Sequence, residues 1–224
     1  MLRTNLLPTS YVPPKEVREL RKIVRFRRKL IEERTKWKNK IHAELLRYSS
    51  YQKNLFNKEG KEFLKNLENP FIESSLLIIE SLEKEIKFYD KKIKELANSL
   101  EDAEILLTIR ICYYSALLIL SEIGEIERFS HWKKLCSYFG LVPSTYQSGF
   151  KIKHGNITKL GSPYLRWILT EVTQIHVNRY QTSLTKFYKR LEKKRGRNKA
   201  IVATARKLLA IIYCILKNKE PFKG

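Results

Sequence analysis

Aspartate is nearly missing from this 224-residue chain: Asp90 and Asp102 are the only two, and every other acid is a glutamate. A two-metal nuclease centre gathers several carboxylates, often aspartates, around Mg²⁺. No such cluster can be picked out, so no metal is expected to be held by this chain alone. Cysteine is equally scarce. Cys112, Cys136 and Cys214 are odd in number and far apart, and none stands at zinc-site spacing from His42, His131, His154 or His176. That excludes a disulfide framework and a structural zinc site. Long apolar runs are absent too, because the stretches Ile111 to Leu120 and Leu208 to Leu216 are too short to span a bilayer. The first residues lack the basic start, apolar run and small-residue cleavage site of a signal peptide. A cytoplasmic protein with no membrane partner is expected. Sustained period-two alternation is also missing, which argues against a sheet-based fold.

Positive charge is abundant. Forty-five Lys and Arg face 23 acids, a formal charge of +22. Such an excess destabilises a compact chain by self-repulsion unless a polyanion is the partner. With 43% hydrophobic residues the chain can still bury a core. A neutral small-molecule role leaves the charge unexplained; DNA is the expected partner.

Pro13 and Pro14 break the incoming chain and pre-set the first turn of a helix. From Lys15 to about Tyr48, Val17, Leu20, Val24, Ile31, Trp37, Ile41, Leu45 and Tyr48 recur at mostly helical intervals. The run Arg21, Lys22, Arg25, Arg27, Arg28 and Lys29 covers more than one face of that helix. Arg21, Arg25 and Arg28 are therefore candidates for phosphate contact. Turn signals at Asn57 to Gly60 and at Asn69-Pro70 bound a short helix or irregular connection. Beyond them Ile79, Leu82, Ile86, Tyr89, Ile93, Leu96 and Leu100 alternate spacings of three and four, a coiled-coil seam. The seam either closes on the basic helix as an antiparallel hairpin or pairs with a second copy, making the chain a homo-oligomer. An ordinary amphipathic helix packed on its own domain gives the same pattern.

A last unit begins near Asp102. A helix is expected over 105–123, stopped by Gly124, and a short one from the N-cap candidate Ser130 to about Gly140. A polar loop with Pro143, Gln147, Ser148, Gly149, Gly155 and Gly161 follows, then helices over 163–179 and 199–216. The fold class is all-α: a long basic helix and coiled-coil hairpin followed by a helical C-terminal domain. The expected divisions are 1–13, 14–101 and 102–224.

The C-terminal motifs occur in a particular order: Glu122-Ile123-Gly124, Phe129, Gly140-Leu141-Val142-Pro143, Gln147-Ser148-Gly149, Ile157-Thr158-Lys159, Gly161 and Tyr164-Leu165-Arg166. They resemble the C-terminal domain of the insertion-sequence one-ten type transposases, a family of bridge-RNA-guided recombinases. Upstream, Leu6-Leu7-Pro8, Tyr11-Val12-Pro13, Arg18-Glu19-Leu20-Arg21, Arg28 and Lys38-Asn39 are similar to the end of that family's N-terminal half and the helix after it. The resemblance implies that 1–13 is the remnant of a RuvC-like domain whose four acids hold Mg²⁺ in the intact family. It implies a helix-hairpin-helix character for the C-terminal domain, and a guide RNA beside DNA among the partners. It places a serine nucleophile at Ser148. Gly149 would let the backbone approach a scissile phosphate, and Lys151, Lys153, His154, Lys159 and Arg166 would stabilise its charge.

Two departures from the family pattern matter. Where relatives carry a Pro-Gly-x-Gly hairpin this chain has Ile109-Arg110-Ile111-Cys112, so contact with DNA there would fall to the Arg110 side chain. The chain also begins just past the position of the family's last catalytic aspartates. The expectation is an N-terminally truncated DNA transposase that is inactive alone. The alternative is a non-catalytic nucleic-acid-binding fragment that dimerises and interferes with a full-length relative.

Overall fold

A computed structural model of the chain describes residues 11–48, 54–149 and 151–222. The motif at Leu6 to Pro8, and with it most of the expected RuvC-like remnant, lies outside the described residues. The fold is mostly α-helical. Contacts divide it into two units, one formed by 1–22 with 96–224 and the other by 23–95.

Helix α1 spans Lys15–Leu45, directly after the proline pair, and ends in a 3-10 turn at Leu46–Tyr48. Helix α2, Lys58–Lys65, starts where the Asn57 side chain accepts from the Gly60 amide at 2.7 Å. Helix α3, Pro70–Asn98, has proline at its first position, and the Asn69 side chain accepts from the Phe71 and Ile72 amides at 2.9 and 3.2 Å.

In the unit 23–95 the seam closes on α1. Ile79, Ile86 and Ile93 are buried, with Leu82 and Tyr89 half-buried between them. The antiparallel register is marked by Phe26 against Tyr89 at 5.2 Å between ring centroids, by Arg27 bound to Asp90 at 2.9 Å, and by Lys38 facing Glu83 at 3.8 Å. Near the turn, Ile41 and Leu45 meet Leu55, Leu64, Ile72 and Leu76 in one core. The seam is thus covered within the chain. Replacing both Ile86 and Ile93 by Lys is expected to cost at least about 3 kcal/mol at each site, since a filled core position becomes an unpaired buried charge. Loss of helical signal in far-ultraviolet circular dichroism is the readout; an unchanged melt would show that the seam is not a packing surface.

The other unit is built on α4 (Glu101–Leu107), α5 (Tyr113–Ile123), a 3-10 turn at Ile126–Arg128, α6 (Trp132–Tyr138), the strands β1 (Pro143–Ser148) and β2 (Lys151–Ile157), α7 (Pro163–Arg179), α8 (Ser183–Arg195) and α9 (Arg197–Asn218). A helix apolar on all sides has to be surrounded, and α5 is buried from Tyr114 to Ile119 and again at Ser121, Glu122 and Ile123. Helix α9 supplies the other spine, packing against α4, α6, α7 and α8.

Four local expectations are corrected. The helix over 105–123 is two helices, broken at Thr108–Cys112, where Arg110 takes a left-handed backbone with φ 64°. The apolar pattern runs through that break, so periodicity carried no stop. The cap of α6 is His131, whose Nδ1 accepts from the Lys133 amide at 3.1 Å, one residue after Ser130. Helix α8 was not anticipated in the basic stretch. Lastly, the polar loop contains an antiparallel hairpin, β1 with β2. Nearly all its side chains are exposed, so no apolar-polar alternation betrayed it.

Candidate active site

The hairpin carries the chemistry, and its base is locked by backbone. At Gly140, φ is +66° and an added Cβ would lie 2.3 Å from the Leu160 nitrogen; at Gly161, φ is +68° and a Cβ would lie 2.3 Å from the Tyr138 carbonyl oxygen. Both glycines are required where the chain entering the hairpin crosses the chain leaving it. The Lys159 amide donates to the Gly140 carbonyl at 3.2 Å and the Thr158 amide to the Val142 carbonyl at 2.9 Å. Arg166, on the first turn of α7, clamps the same crossing: its Nη1 donates to the carbonyls of Phe139, Leu160 and Gly161 at 3.2, 2.6 and 3.1 Å. Burial pushes its pKa down from the ordinary arginine value.

Arg166→Ala is expected to lower stability by about 2 kcal/mol, as charged hydrogen bonds to three carbonyls are lost. Faster hydrogen exchange at the Thr158 and Lys159 amides is the check. Exchange no faster than in the wild type would show that the guanidinium does not hold the hairpin.

At the other end of β1, Ser148 pairs with Lys151 and is exposed, followed by Gly149 at φ +56° with no atom within 4 Å of an added Cβ. Alternation along paired strands sorts the side chains by face. Ser144, Tyr146 and Ser148 share one face with Lys151 and Lys153, their neighbours across the ladder. Thr145 and Gln147 share the other with Ile152 and His154. His154 Nδ1 lies 3.2 Å from the Thr145 hydroxyl. The structure thus sets two lysines and an exposed tyrosine beside Ser148 and places His154 on the opposite face.

The remaining candidates lie elsewhere. Lys159 is exposed in a left-handed conformation at the hairpin base, φ 57°. Arg110 sits in the turn between α4 and α5 with its guanidinium 4.8 Å from the Tyr180 ring centroid. The turn survives without the family's glycines because Arg110 itself adopts the left-handed conformation. Arg21 closes the end of α5: its Nε and Nη2 donate to the Ser121 carbonyl at 2.9 and 2.7 Å, and the buried Glu122 carboxylate lies 3.9 Å away. Such a cation at a helix C-terminus complements the dipole. Arg25 and Arg28 belong to the unit 23–95, where Arg28 binds Glu32 at 2.7 Å and Arg25 is half-buried.

Sequence reasoning missed Tyr146, because a tyrosine in a supposed loop has no assigned face. It also missed His176, buried on α7 with Nε2 2.8 Å from the Thr182 hydroxyl. Burial pushes the His176 pKa below its ordinary value, Arg110 adds to this, and the Ile109 backbone opposes it. A folded-state pKa below the unfolded one means that the unfolded chain binds more protons between the two values, so stability rises with pH there. The contribution is full above about pH 6.5, the unfolded histidine value, and is lost as pH falls through the folded pKa. The melting temperature is expected to drop on acidification over that window and to drop less in His176→Gln. Equal slopes in the two proteins would contradict this.

Part of this unit is similar to a transposase domain. The family described as "Transposase IS116/IS110/IS902 family" matches residues 104–189, from within α4 into α8. Among curated proteins, the transposase for insertion sequence element IS1111A of Coxiella burnetii is 30% identical over 139 residues, 60% of this chain and 38% of that protein. The pilin gene-inverting proteins of Moraxella bovis and Moraxella lacunata are each 36% identical over 107 residues, 46% of this chain and 33% of theirs. Over these parts the chain is similar to insertion-sequence transposases and recombinases. It spans between 33% and 38% of the length of these relatives. No helix among the described residues is long and apolar enough to cross a membrane.

Proposed function

We propose that the β1–β2 hairpin is the strand-transfer arm of a DNA recombinase and that Ser148 is its nucleophile. The observation that carries this is the placement of Ser148: exposed at the hairpin tip, beside a left-handed glycine, and sharing a face with Lys151 and Lys153. Attack of the serine oxygen on a DNA phosphorus forms a P–Oγ ester and breaks one P–O bond of the backbone. The hydroxyl leaving group takes a proton, and the serine gives one up. Attack by a new strand's 3′-hydroxyl on the phosphoserine reverses this, restoring the serine and joining DNA without ATP. The two lysines neutralise charge building on the phosphate, and Gly149 lets the backbone come close to it.

The family resemblance implies Mg²⁺. Among the described residues no group of three or more His, Cys, Asp or Glu could hold a metal ion, and both aspartates are engaged, Asp90 with Arg27 and Asp102 with Lys219. These residues do not fit a magnesium site. We place the acids of a complete centre in another domain or chain, as the family resemblance implies.

The test is to incubate the protein with Mg²⁺, DNA carrying an insertion end, and a separately supplied RuvC-like domain, then look for a covalent protein–DNA band on a denaturing gel. A band from the wild type that is missing from Ser148→Ala supports the reading. An equal band from both overturns it.

A further inference from the structure

A groove of about 1550 Å³ runs alongside α9 in the same unit as the hairpin, between that helix, α6, α8 and the base of β2. The proposed strand transfer does not use it. Its floor is the half-exposed apolar side of α9, from Val202 and Ala203 through Ala210 and Ile211. In a lone helix bundle such a side would be covered. Two aromatic side chains also line the groove, Trp132 from the first turn of α6 and Phe187 from α8.

What distinguishes this groove from a seat for an apolar helix is its charge. Lys159, Arg195, Lys199, Arg206 and Lys207 line it, against a single acid, Glu220. The cations and the rings are interleaved. Arg206 lies 5.9 Å from the Trp132 ring centroid, and Lys207 lies 4.4 Å from that of Phe187. At one end the groove takes in Arg195, Asn198 and Lys199, around the start of α9, whose N-cap Gly196 offers no side-chain acceptor to the first amides of this 22-residue helix. Amides left without an acceptor at the start of a long helix suit a phosphate.

Basic side chains that follow a backbone, aromatic faces that take bases, and an apolar floor that excludes water are together the chemistry of unpaired nucleic-acid recognition. In a duplex the base faces are already stacked on one another and closed to such a groove. From Lys199 to Asn218 the α9 wall is roughly 28 Å long at 1.5 Å per residue, which gives room for several nucleotides.

We infer that this groove binds a single-stranded stretch of nucleic acid, with bases on Trp132 and Phe187 and phosphates on Lys199, Arg206 and Lys207. This rests on the reading of the domain as nucleic-acid-binding but not on the role of Ser148. The site lies on the part of the domain that includes His154, while Ser148, Lys151 and Lys153 occupy the other face of the hairpin. An unpaired strand and the duplex to be cut can therefore be held by different surfaces.

The experiment uses the full chain and fluorescein-labelled oligonucleotides in anisotropy titrations: a twelve-residue oligothymidylate, the matching oligouridylate and a twelve-base-pair duplex. Trp132→Ala with Phe187→Ala is expected to weaken single-strand binding by about tenfold or more, the effect of losing base stacking, with duplex binding unchanged. Arg206→Gln with Lys207→Gln should weaken single-strand binding and flatten its salt slope, and circular dichroism melts confirm that each variant folds. Trp132→Phe should keep binding but lose the part of the tryptophan fluorescence quenched by the oligonucleotide. Tighter binding of the uridylate than of the thymidylate identifies RNA as the strand, and the reverse identifies DNA. Either result supports the site. Equal losses for single strand and duplex in the aromatic variant, or no single-strand binding at low salt, would overturn it. So would an acidic helical peptide that binds the groove and is not displaced by oligonucleotide. Failure of Ser148 chemistry would leave all these readouts standing.

Discussion

Duplex DNA bound by the purified chain at about 50 mM salt is expected to be released by about 200 mM, with affinity falling roughly a thousandfold over that interval. The expectation comes from the charge of +22 and from where the structure puts it. Lysines contacting phosphates release counterions from the duplex, so affinity falls with a slope of about 0.9 per phosphate neutralised. Lys151 and Lys153 stand on an exposed hairpin face and Lys159 at its base. Replacing Lys151 and Lys153 by Gln should flatten the salt slope by about 2 while weakening binding to all sequences alike. Arg21 and Arg166 already donate to backbone carbonyls within the fold, so their removal should lower the melting temperature more than it changes the slope. A salt-independent affinity would show that phosphate contact is not how the chain meets DNA.

The other large effect concerns Ser148. Alone with DNA and Mg²⁺ the chain is expected to yield no joined product, because no cluster among the described residues supplies metal-holding acids and phosphoryl transfer depends on charge stabilisation at the phosphate. With the acidic domain supplied in trans, joining appears, and Ser148→Ala lowers it by more than about 10⁴-fold, the scale on which losing a nucleophile acts. Ser148 is exposed at a hairpin tip, so the substitution leaves the melt unchanged and the loss is chemical. Joining by the chain alone, abolished by Ser148→Ala, would show that this domain suffices.

Helical periodicity made much of the fold legible. The basic helix, the seam, the helix over 163–179 and the last helix were all visible because each buries one face against a partner. The seam's partner was left open, since α1 and a second copy answer the same pattern; the register of Phe26 on Tyr89 and Arg27 on Asp90 decides for α1. The hairpin was hidden because it buries almost nothing. Its strands are held by ladder hydrogen bonds and by the crossing at Gly140 and Gly161, neither of which leaves a mark on hydropathy. The break before α5 was hidden for the opposite reason, as Ile109 is buried in a turn that reads like more helix. At the site, family motifs located Ser148, Lys151 and Lys153, but only strand pairing separates their face from that of His154. Arg21 and Arg166 are named as candidates for phosphate contact from their charge, and the carbonyls they bind are visible only in the fold.

The most direct measurement is the identity of the residue joined to DNA. The covalent complex formed with the acidic domain present can be digested with nuclease and protease and the modified peptide fragmented by mass spectrometry. The account predicts a nucleotide phosphate on Ser148, released by alkali as a serine ester should be. Tyr146 lies on the same hairpin face, two residues away and also exposed. A nucleotide found there, as an alkali-stable tyrosine ester, or on any residue outside the hairpin, would contradict the account.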